Sequence, residues 1–458
     1  MSASMPLGRA TDPTVVPAGG SREAAIGEPL ALRPLRIHLA ALGCRLNEAE
    51  VEQLEGEARR RGCRVVERPE DADWVLLNTC AVTHVAERKS RQALRRIHRQ
   101  APQARLAVLG CFGTISPDTA ATLPGVQLVV PNADKARVLD LIAAQQDVAL
   151  PLALPSPEPS RPRRTRAFIK VQDGCDNHCT YCIVRVARGP SHSVAAELVL
   201  QEVRARQAAG AREVVLSGVN LGAYGRDLPA RHGRLADLVA RILGETDVER
   251  VRLSSLEPDD LDERLLDLWQ DGRLCRHLHL PLQSGSDAVL ARMGRLSRVA
   301  DYVALVKRVY AAVPDMALSA DLIVGFPGET DEDARRTCAL AERLALARLH
   351  IFRFSARSGT PAARYPNPVS DAVARERAQA LSELARRLEH TYQQRFLGRP
   401  LSVLFEGRAT LGGTSVWQGL SDNYLRIGVP SSEDLHNQIR TVTCLALGDE
   451  GLIGSLQS

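Results

Sequence analysis

The chain has 458 residues, 45% of them hydrophobic, and a formal net charge of +5 in which Arg far outnumbers Lys. That length suits about three domains and that apolar share fills real cores, which excludes a wholly disordered chain. Aromatic residues make up 4%, so base-stacking contacts must be few, and no apolar run reaches the roughly 18 residues that a membrane span needs.

Residues 1–35 lack the compact apolar core of a signal peptide and read as a flexible tail. A cytoplasmic location follows, with no membrane partner. In that compartment ten cysteines are not a disulfide framework, so the question becomes which of them bind metal.

Residues 36–147 alternate strand and helix patterns. RIHLAALGC, ADWVLLNTC, RLAVLGC and VQLVV read as strands of a small parallel sheet with crossover helices. Parallel sheets place their sites beyond the carboxyl ends of the strands, where Cys44, Cys80 and Cys111 all fall. Two readings of these cysteines stand: three buried core thiols, or three thiolates converging at one edge. Turn and polar residues after each cysteine favour the second.

In AERKSRQALRRIHRQ, Arg88, Arg91, Arg95 and Arg99 share one helical stripe, opposite Ala86, Ala93, Leu94, Ile97 and Ala101. The stripe is either a contact for RNA phosphates or a solvated basic face. Lys89 and Arg96 widen it. Residues 148–166 form a linker rich in Pro and Arg, and Arg161, Arg163, Arg164 and Arg166 leave the same two readings open.

Residues 167–395 repeat a strand-then-helix unit about six times, with near-continuous apolar strands suited to a full or partial parallel barrel. Helices are expected over 197–209, 235–243, 260–270, 299–312, 330–346 and 371–394. Residues 396–458 turn to short strands between Gly, Asn and Asp turns, which predicts a small antiparallel barrel. The whole is an α/β chain of three domains.

Directly after the first barrel strand, Cys175, Cys179 and Cys182 form C-x3-C-x2-C. Three thiolates on one loop hold three irons of a 4Fe–4S cluster and leave the fourth open for a substrate. Zinc is the less favoured alternative, with His178 or His192 as fourth ligand. Cys63, Cys275, Cys338 and Cys444 read as apolar fillers.

The Cys175–Cys182 motif and the repeating unit around it resemble the radical S-adenosylmethionine (SAM) superfamily. The resemblance implies a SAM chelated at the open iron and cleaved by one electron to a 5′-deoxyadenosyl radical. No acid–base residue is implied. Matching strand ends implies SAM contacts at Tyr181, Ser217, Gly218, Ser254, Glu257, Gln283, Asp321, Ile323 and Gly325, with Ser255 and Ser284 beside them. Read without the resemblance, Ile323 is a core residue, Gly325 a turn glycine and Thr330 a helix cap with Asp333.

LGCRLN, LNTCAVT, SRQALRRIHRQ, VLGC and CDNHCTYCIVRVARG, in this order, are similar to the methylthiotransferases, from about residue 36 to the end. That family implies an auxiliary cluster on Cys44, Cys80 and Cys111, a radical SAM domain and a carboxyl-terminal TRAM domain. It also implies two 4Fe–4S clusters and SAM as cofactors, with a reducing electron donor and a sulfur source as partners. LGCRLN and RLSSLEP resemble the branch that converts N6-threonylcarbamoyladenosine at position 37 of tRNA to its 2-methylthio form. Branches acting on isopentenyladenosine in tRNA, or on an aspartate of a small-subunit ribosomal protein, are the alternatives. A cluster-bearing RNA-binding or sulfur-carrier protein without radical chemistry is a third class.

Two departures stand out. Arg185 replaces a proline usual in the family, while Arg188, a further RNA-contact candidate, and Gly189 are kept. Residues 396–458 hold four Arg and no Lys against six Asp plus Glu, a weak field for an RNA-binding barrel, which leaves Arg408, Arg426 and Arg440 as its contacts.

Overall fold

A computed structural model describes residues 14–15, 34–145, 165–411, 413–448 and 451–457. The chain divides into two compact units, residues 1–158 with 182–190, and residues 159–181 with 191–458.

The first unit is built on a six-stranded sheet in the order β1-β6-β5-β4-β2-β3, with β1 Thr14–Val15, β2 Arg36–Ala41, β3 Arg64–Val65, β4 Trp74–Thr79, β5 Arg105–Gly110 and β6 Val126–Val130. β2 to β6 run parallel, and β1 is antiparallel to β6. Part of the stretch expected to be a flexible tail is thus a strand; the rest of 1–33 lies outside the described residues, as does nearly all of the expected linker. β4 is buried along its whole length, as a strand covered on both faces must be. Helices α1 Arg45–Arg60, α2 His84–Gln100, α3 Cys111–Ile115, α4 Pro117–Ala121 and α5 Val138–Ala144 cover it, and α6 Val184–Arg188 belongs to the same unit.

The second unit opens with β7 Arg166–Lys170 and a short ribbon of β8 Gln172–Asp173 with β9 His192–Ser193. The strand–helix alternation runs through α7 Ala196–Ala208, β10 Glu213–Ser217, α8 Leu235–Glu245, β11 Arg250–Leu253, α9 Glu263–Asp267 and β12 His277–His279. It continues through α10 Asp287–Arg292, α11 Val299–Ala312, β13 Ala317–Val324, α12 Asp331–Arg343, β14 Arg348–Arg353 and α13 Asp371–Gln394. β7-β10-β11 and β12-β13-β14 form two parallel half-sheets joined by a bridge between Ser255 and His279, a partial barrel. β12 is shorter than HLHLPL suggests, because Pro281 has no amide to donate and Gln283 takes a φ of 64°.

β15 Pro400–Leu411, β16 Thr414–Ser421, β17 Arg426–Val429, β18 Ile439–Gly448 and β19 Gly451–Leu456 close a small barrel. It is not wholly antiparallel: β17 and β19 pair parallel. The two barrels of this unit share a buried seam. Arg252 donates to both carboxylate oxygens of Glu213 and to the carbonyls of Ser421 and Asp422, and the ring of Tyr424 stacks on His277 at 4.1 Å. Arg166 pairs with Glu406 at 2.7 Å, so it is a structural link and not an open phosphate contact.

Candidate iron–sulfur and SAM sites

The strand register of the first unit brings its cysteines together. Thr79 pairs with Gly110, so Cys80 and Cys111, one residue on, leave adjacent strands side by side. Ala41 pairs with Asn78 on the next strand over, and Cys44 follows as the residue before α1. Gly43 (φ 102°) and Gly110 (φ 87°) turn the chain just ahead of two of these cysteines. A Cβ on Gly43 would stand 2.4 Å from the Cβ of Cys80, and one on Gly110 2.4 Å from Asn78 Oδ1. The repeated LGC is therefore a packing requirement as well as a motif.

Polar side chains surround the three thiols. Cys44 Sγ lies 3.7 Å from Asn47 Oδ1, and Asn132 Nδ2 lies 3.8 Å from Cys111 Sγ. Burial pushes the Cys80 thiol up to about 11, and Cys44 rises for the same reason, with Arg188 pulling both the other way. Among the described residues no group of three or more His, Cys, Asp or Glu side chains is arranged to hold one metal ion. Three cysteines at the ends of three strands suit a cluster, in which each thiolate takes a different iron. All ten cysteines are described and none forms a disulfide. Cys63 and Cys444 are buried in apolar cores, as expected of fillers. Cys275 is not a plain filler: its sulfur lies 3.9 Å from Glu213 Oε2.

Arg188 needs a correction. Its side chain is 3% exposed and donates to Glu50 and Asn47, so it is not a surface contact for RNA. Arg185 sits in the first turn of α6, where a proline would fit equally well, so this departure leaves the helix intact. On α2 the stripe is as expected: Arg88, Arg95 and Arg99 are exposed, Ala93, Leu94 and Ile97 buried, and Arg91 is half-buried against Glu87. Arg408 lies over the ring of Trp417 and Arg440 pairs with Glu433. Arg161, Arg163 and Arg164 lie outside the described residues.

In the second unit, Cys175 and Cys179 are half-buried beyond the end of β8, and burial pushes the Cys175 thiol up. The loop is pinned to the barrel by Thr180, which donates its amide to the carbonyl of Met293 and its hydroxyl to that of Arg292. Tyr181 lies edge-on to Phe326 at 6.5 Å and packs with Ile323, Val289 and Met293. Ile323 is thus a core residue of this apolar cluster, with Tyr181 packed at its margin. Ser217 ends β10 with its hydroxyl turned to the carbonyl of Val215, and the Gly218 amide donates to Ser254 Oγ. Gly325 donates its amide to Glu329, which Arg377 holds in place. Thr330 caps α12 in a full capping box with Asp333.

Asp321 faces His279, with Oδ1 3.2 Å from Nε2, and His279 reaches Ser319 Oγ through Nδ1. The sequence gives no hint of Arg295. Its side chain is 6% exposed and binds Glu257 with both terminal nitrogens, at 3.0 and 2.6 Å. Burial pulls its guanidinium down, but Glu257 outweighs burial and holds it above its ordinary range, with Tyr181 and Cys179 acting in the same direction. Arg295 thus brings a fixed cation to the side of the loop that carries Cys179.

Residues 169–341 match the radical SAM superfamily, and residues 36–131 match uncharacterized protein family UPF0004. The chain is 35% identical to the threonylcarbamoyladenosine tRNA methylthiotransferase MtaB of Thermotoga maritima, over 91% of this chain and 96% of that one. It is 32% identical to the protein of that name from Bacillus subtilis (89% and 93% covered) and 34% to that of Chlamydia pneumoniae (91% and 97%). The chain belongs to the MtaB family of radical SAM methylthiotransferases. Among solved structures, the radical SAM methyltransferase TsrM from Kitasatospora setae matches with a TM-score of 0.54 at 17% identity, over 72% of this chain and 77% of that one, which is a likeness of fold. As a member of the MtaB family this chain is a radical SAM enzyme, and its family's cofactors are SAM and two 4Fe–4S clusters. The first unit offers a donor set of the kind a cluster takes, with Cys44, Cys80 and Cys111 at the ends of neighbouring strands.

Proposed function

We propose that this enzyme converts N6-threonylcarbamoyladenosine at position 37 of tRNA to its 2-methylthio derivative. The observation that carries the reading is the convergence of Cys44, Cys80 and Cys111 at one sheet edge, in a chain that also bears the Cys175, Cys179 and Cys182 loop. Sulfur insertion gives a second cluster a use, beside the one that cleaves SAM. The choice of nucleoside rests on the relatives, which bear that activity in their names over nearly their full lengths.

In this reading Cys175, Cys179 and Cys182 hold the cluster that binds SAM, and Cys44, Cys80 and Cys111 hold the auxiliary one. When bound, the two groups supply a carbon-centred radical and the sulfur to be inserted. The chain's own residues position and shield. The apolar cluster of Tyr181 and Ile323 is the side to which the adenine would pack, and Gly218 and Gly325 follow β10 and β13 with their amides held by Ser254 and Glu329. Ser217, Ser254, Glu257 and Gln283 supply polar groups at or beyond the ends of their strands and Asp321 one from within β13, with Glu257 fixed by Arg295. The exposed arginines of α2 meet tRNA phosphates. A reductant and a sulfur donor complete the partners. No described helix is long and apolar enough to cross a membrane, and a tRNA substrate argues for a cytoplasmic location.

The test is anaerobic reconstitution, then incubation with SAM, dithionite and tRNA from a host that lacks the modification, followed by nucleoside mass spectrometry. The expected product is 2-methylthio-threonylcarbamoyladenosine together with 5′-deoxyadenosine. Methylthiolation of isopentenyladenosine or of the ribosomal protein, with none on threonylcarbamoyladenosine, would overturn the assignment.

A further inference from the structure

Behind the Cys44, Cys80 and Cys111 edge lies a buried charged network that the reaction itself does not call for. Lys135 Nζ stands 2.5 Å from Glu50 Oε2, and Arg188 Nη1 stands 3.0 Å from Glu50 Oε1. The three side chains are 8%, 3% and 4% exposed for Lys135, Arg188 and Glu50. Asn78 donates to Glu50 as well. The network reaches one thiol through the amide of Asn47, and the amide of Asn132, bonded to the backbone next to Arg188, lies by another. Asn47 Oδ1 accepts from Arg188 at 2.6 Å and faces Cys44 Sγ at 3.7 Å, while Asn132 donates to the carbonyl of Ala187 and lies 3.8 Å from Cys111 Sγ.

Burying charge is costly, and replacing such a group with apolar side chains is often neutral or stabilising. Two cations drawn to one carboxylate beside three cysteines call for a reason beyond packing. A 4Fe–4S cluster held by three thiolates gives one. Each electron added to the cluster adds negative charge, which a cation at short range in a low dielectric stabilises and an anion destabilises.

We propose that Lys135 and Arg188, held in place by Glu50 and Asn47, are positioning residues that secure the auxiliary cluster and raise its reduction potential. The inference rests on the assignment of that cluster to Cys44, Cys80 and Cys111. The signs are specific: Lys135 and Arg188 raise the potential, Glu50 lowers it, and all three are parts of one network.

The experiment uses the full chain with Cys175, Cys179 and Cys182 changed to alanine, so that only the auxiliary cluster loads. A mediated dithionite titration followed by electron paramagnetic resonance reads the midpoint potential, and iron and sulfide analysis reads loading. Lys135→Met is expected to move the midpoint to more negative values and Glu50→Gln to more positive ones. Lys135→Arg should stay near the parent. Where Lys135→Met does not fold, Arg188→Gln carries the same expected sign. Loss of iron in a folded Lys135→Met that Lys135→Arg restores supports the role; loss that Lys135→Arg does not restore overturns it. Shifts of Lys135→Met and Glu50→Gln in the same direction, or no shift at full loading, overturn it too. A parent background that binds no cluster at all would instead refute the cysteine assignment, a distinct failure seen before any of these variants is made.

Discussion

On the proposed reading each cysteine group holds a cluster, and the two come together by opposite routes. Cys175, Cys179 and Cys182 lie on one loop, and their spacing alone brings three thiols within reach of one cluster. Cys44, Cys80 and Cys111 are far apart in the sequence and meet only because β2, β4 and β5 are neighbours in register. A loop can shift without unfolding its barrel, whereas the sheet edge is part of a core. The first group therefore answers to loop chemistry and the second to the folding of its whole unit.

The largest expected effects separate the groups by function. Cys175→Ala should abolish formation of 5′-deoxyadenosine and, with it, methylthiolation. Cys80→Ala should leave SAM cleavage in place and reduce methylthiolation to background. Each should lose the iron of one cluster only, as read by iron analysis and ultraviolet–visible absorption. Equal loss of SAM cleavage in both variants would mean that the two groups are not separate sites.

This contrast also explains what the sequence discloses. The C-x3-C-x2-C loop is legible because its information is local, and so are the α2 stripe and the Thr330 cap. The other triad is only half legible: LGC and NTC mark strand ends, but which strands are neighbours depends on sheet order, which local pattern does not encode. Arg188 is misread for a related reason. An arginine in a short basic run looks exposed, and only the fold reveals Glu50, 138 positions away, as its partner. Arg295 goes unseen because Glu257 is 38 positions off. The parallel β17–β19 pair escapes notice because short strands between turns suggest hairpins.

The next effect tests whether the second unit, too, depends on a buried charge cluster. Arg252 and Glu213 are fully buried and bonded to each other. Arg252→Met leaves the carboxylate without its main partner and should cost about 3–5 kcal/mol in urea denaturation. Burial pushes the Glu213 carboxyl up, but Arg252, Arg250 and Arg166 outweigh it and hold it below its ordinary value. The folded pKa is thus below the unfolded one. The pair's contribution is complete above the usual glutamate value of about 4.3 and is lost as pH falls through the lower, folded value. The parent should lose stability over that acid window, and Arg252→Met should lose less there.

A smaller effect probes the sheet edge without touching a ligand. Gly110→Ala forces a side chain into a φ of 87° and against Asn78 and the Thr79 carbonyl. Backbone strain of about 1–2 kcal/mol and crowding of about 1–3 kcal/mol are expected. If the edge belongs to the core, thermal denaturation should show a lower midpoint and the same variant should lose iron from the auxiliary cluster. Stability lost with full iron loading would show that the thiols tolerate more movement than the register argument allows.

The smallest effect per residue concerns the outer face of the same unit. Arg88, Arg95 and Arg99 are exposed on α2, while the carboxyl-terminal barrel offers few cations, with Arg440 paired to Glu433 and Arg408 lying over Trp417. An exposed arginine that meets a phosphate displaces a counterion, so its removal changes both affinity and salt dependence. Replacing all three by glutamine should weaken tRNA binding in filter assays and flatten the plot of log affinity against log salt by about 0.7–0.9 for each phosphate no longer neutralised. SAM cleavage without tRNA should be unchanged, because these side chains lie on the solvent face of α2. The matching change of Arg408 and Arg426 should alter the slope less. A larger change there would move the main tRNA-binding surface to the small barrel and leave the α2 stripe as a solvated face, since a stripe that touches no phosphate leaves the slope where it was.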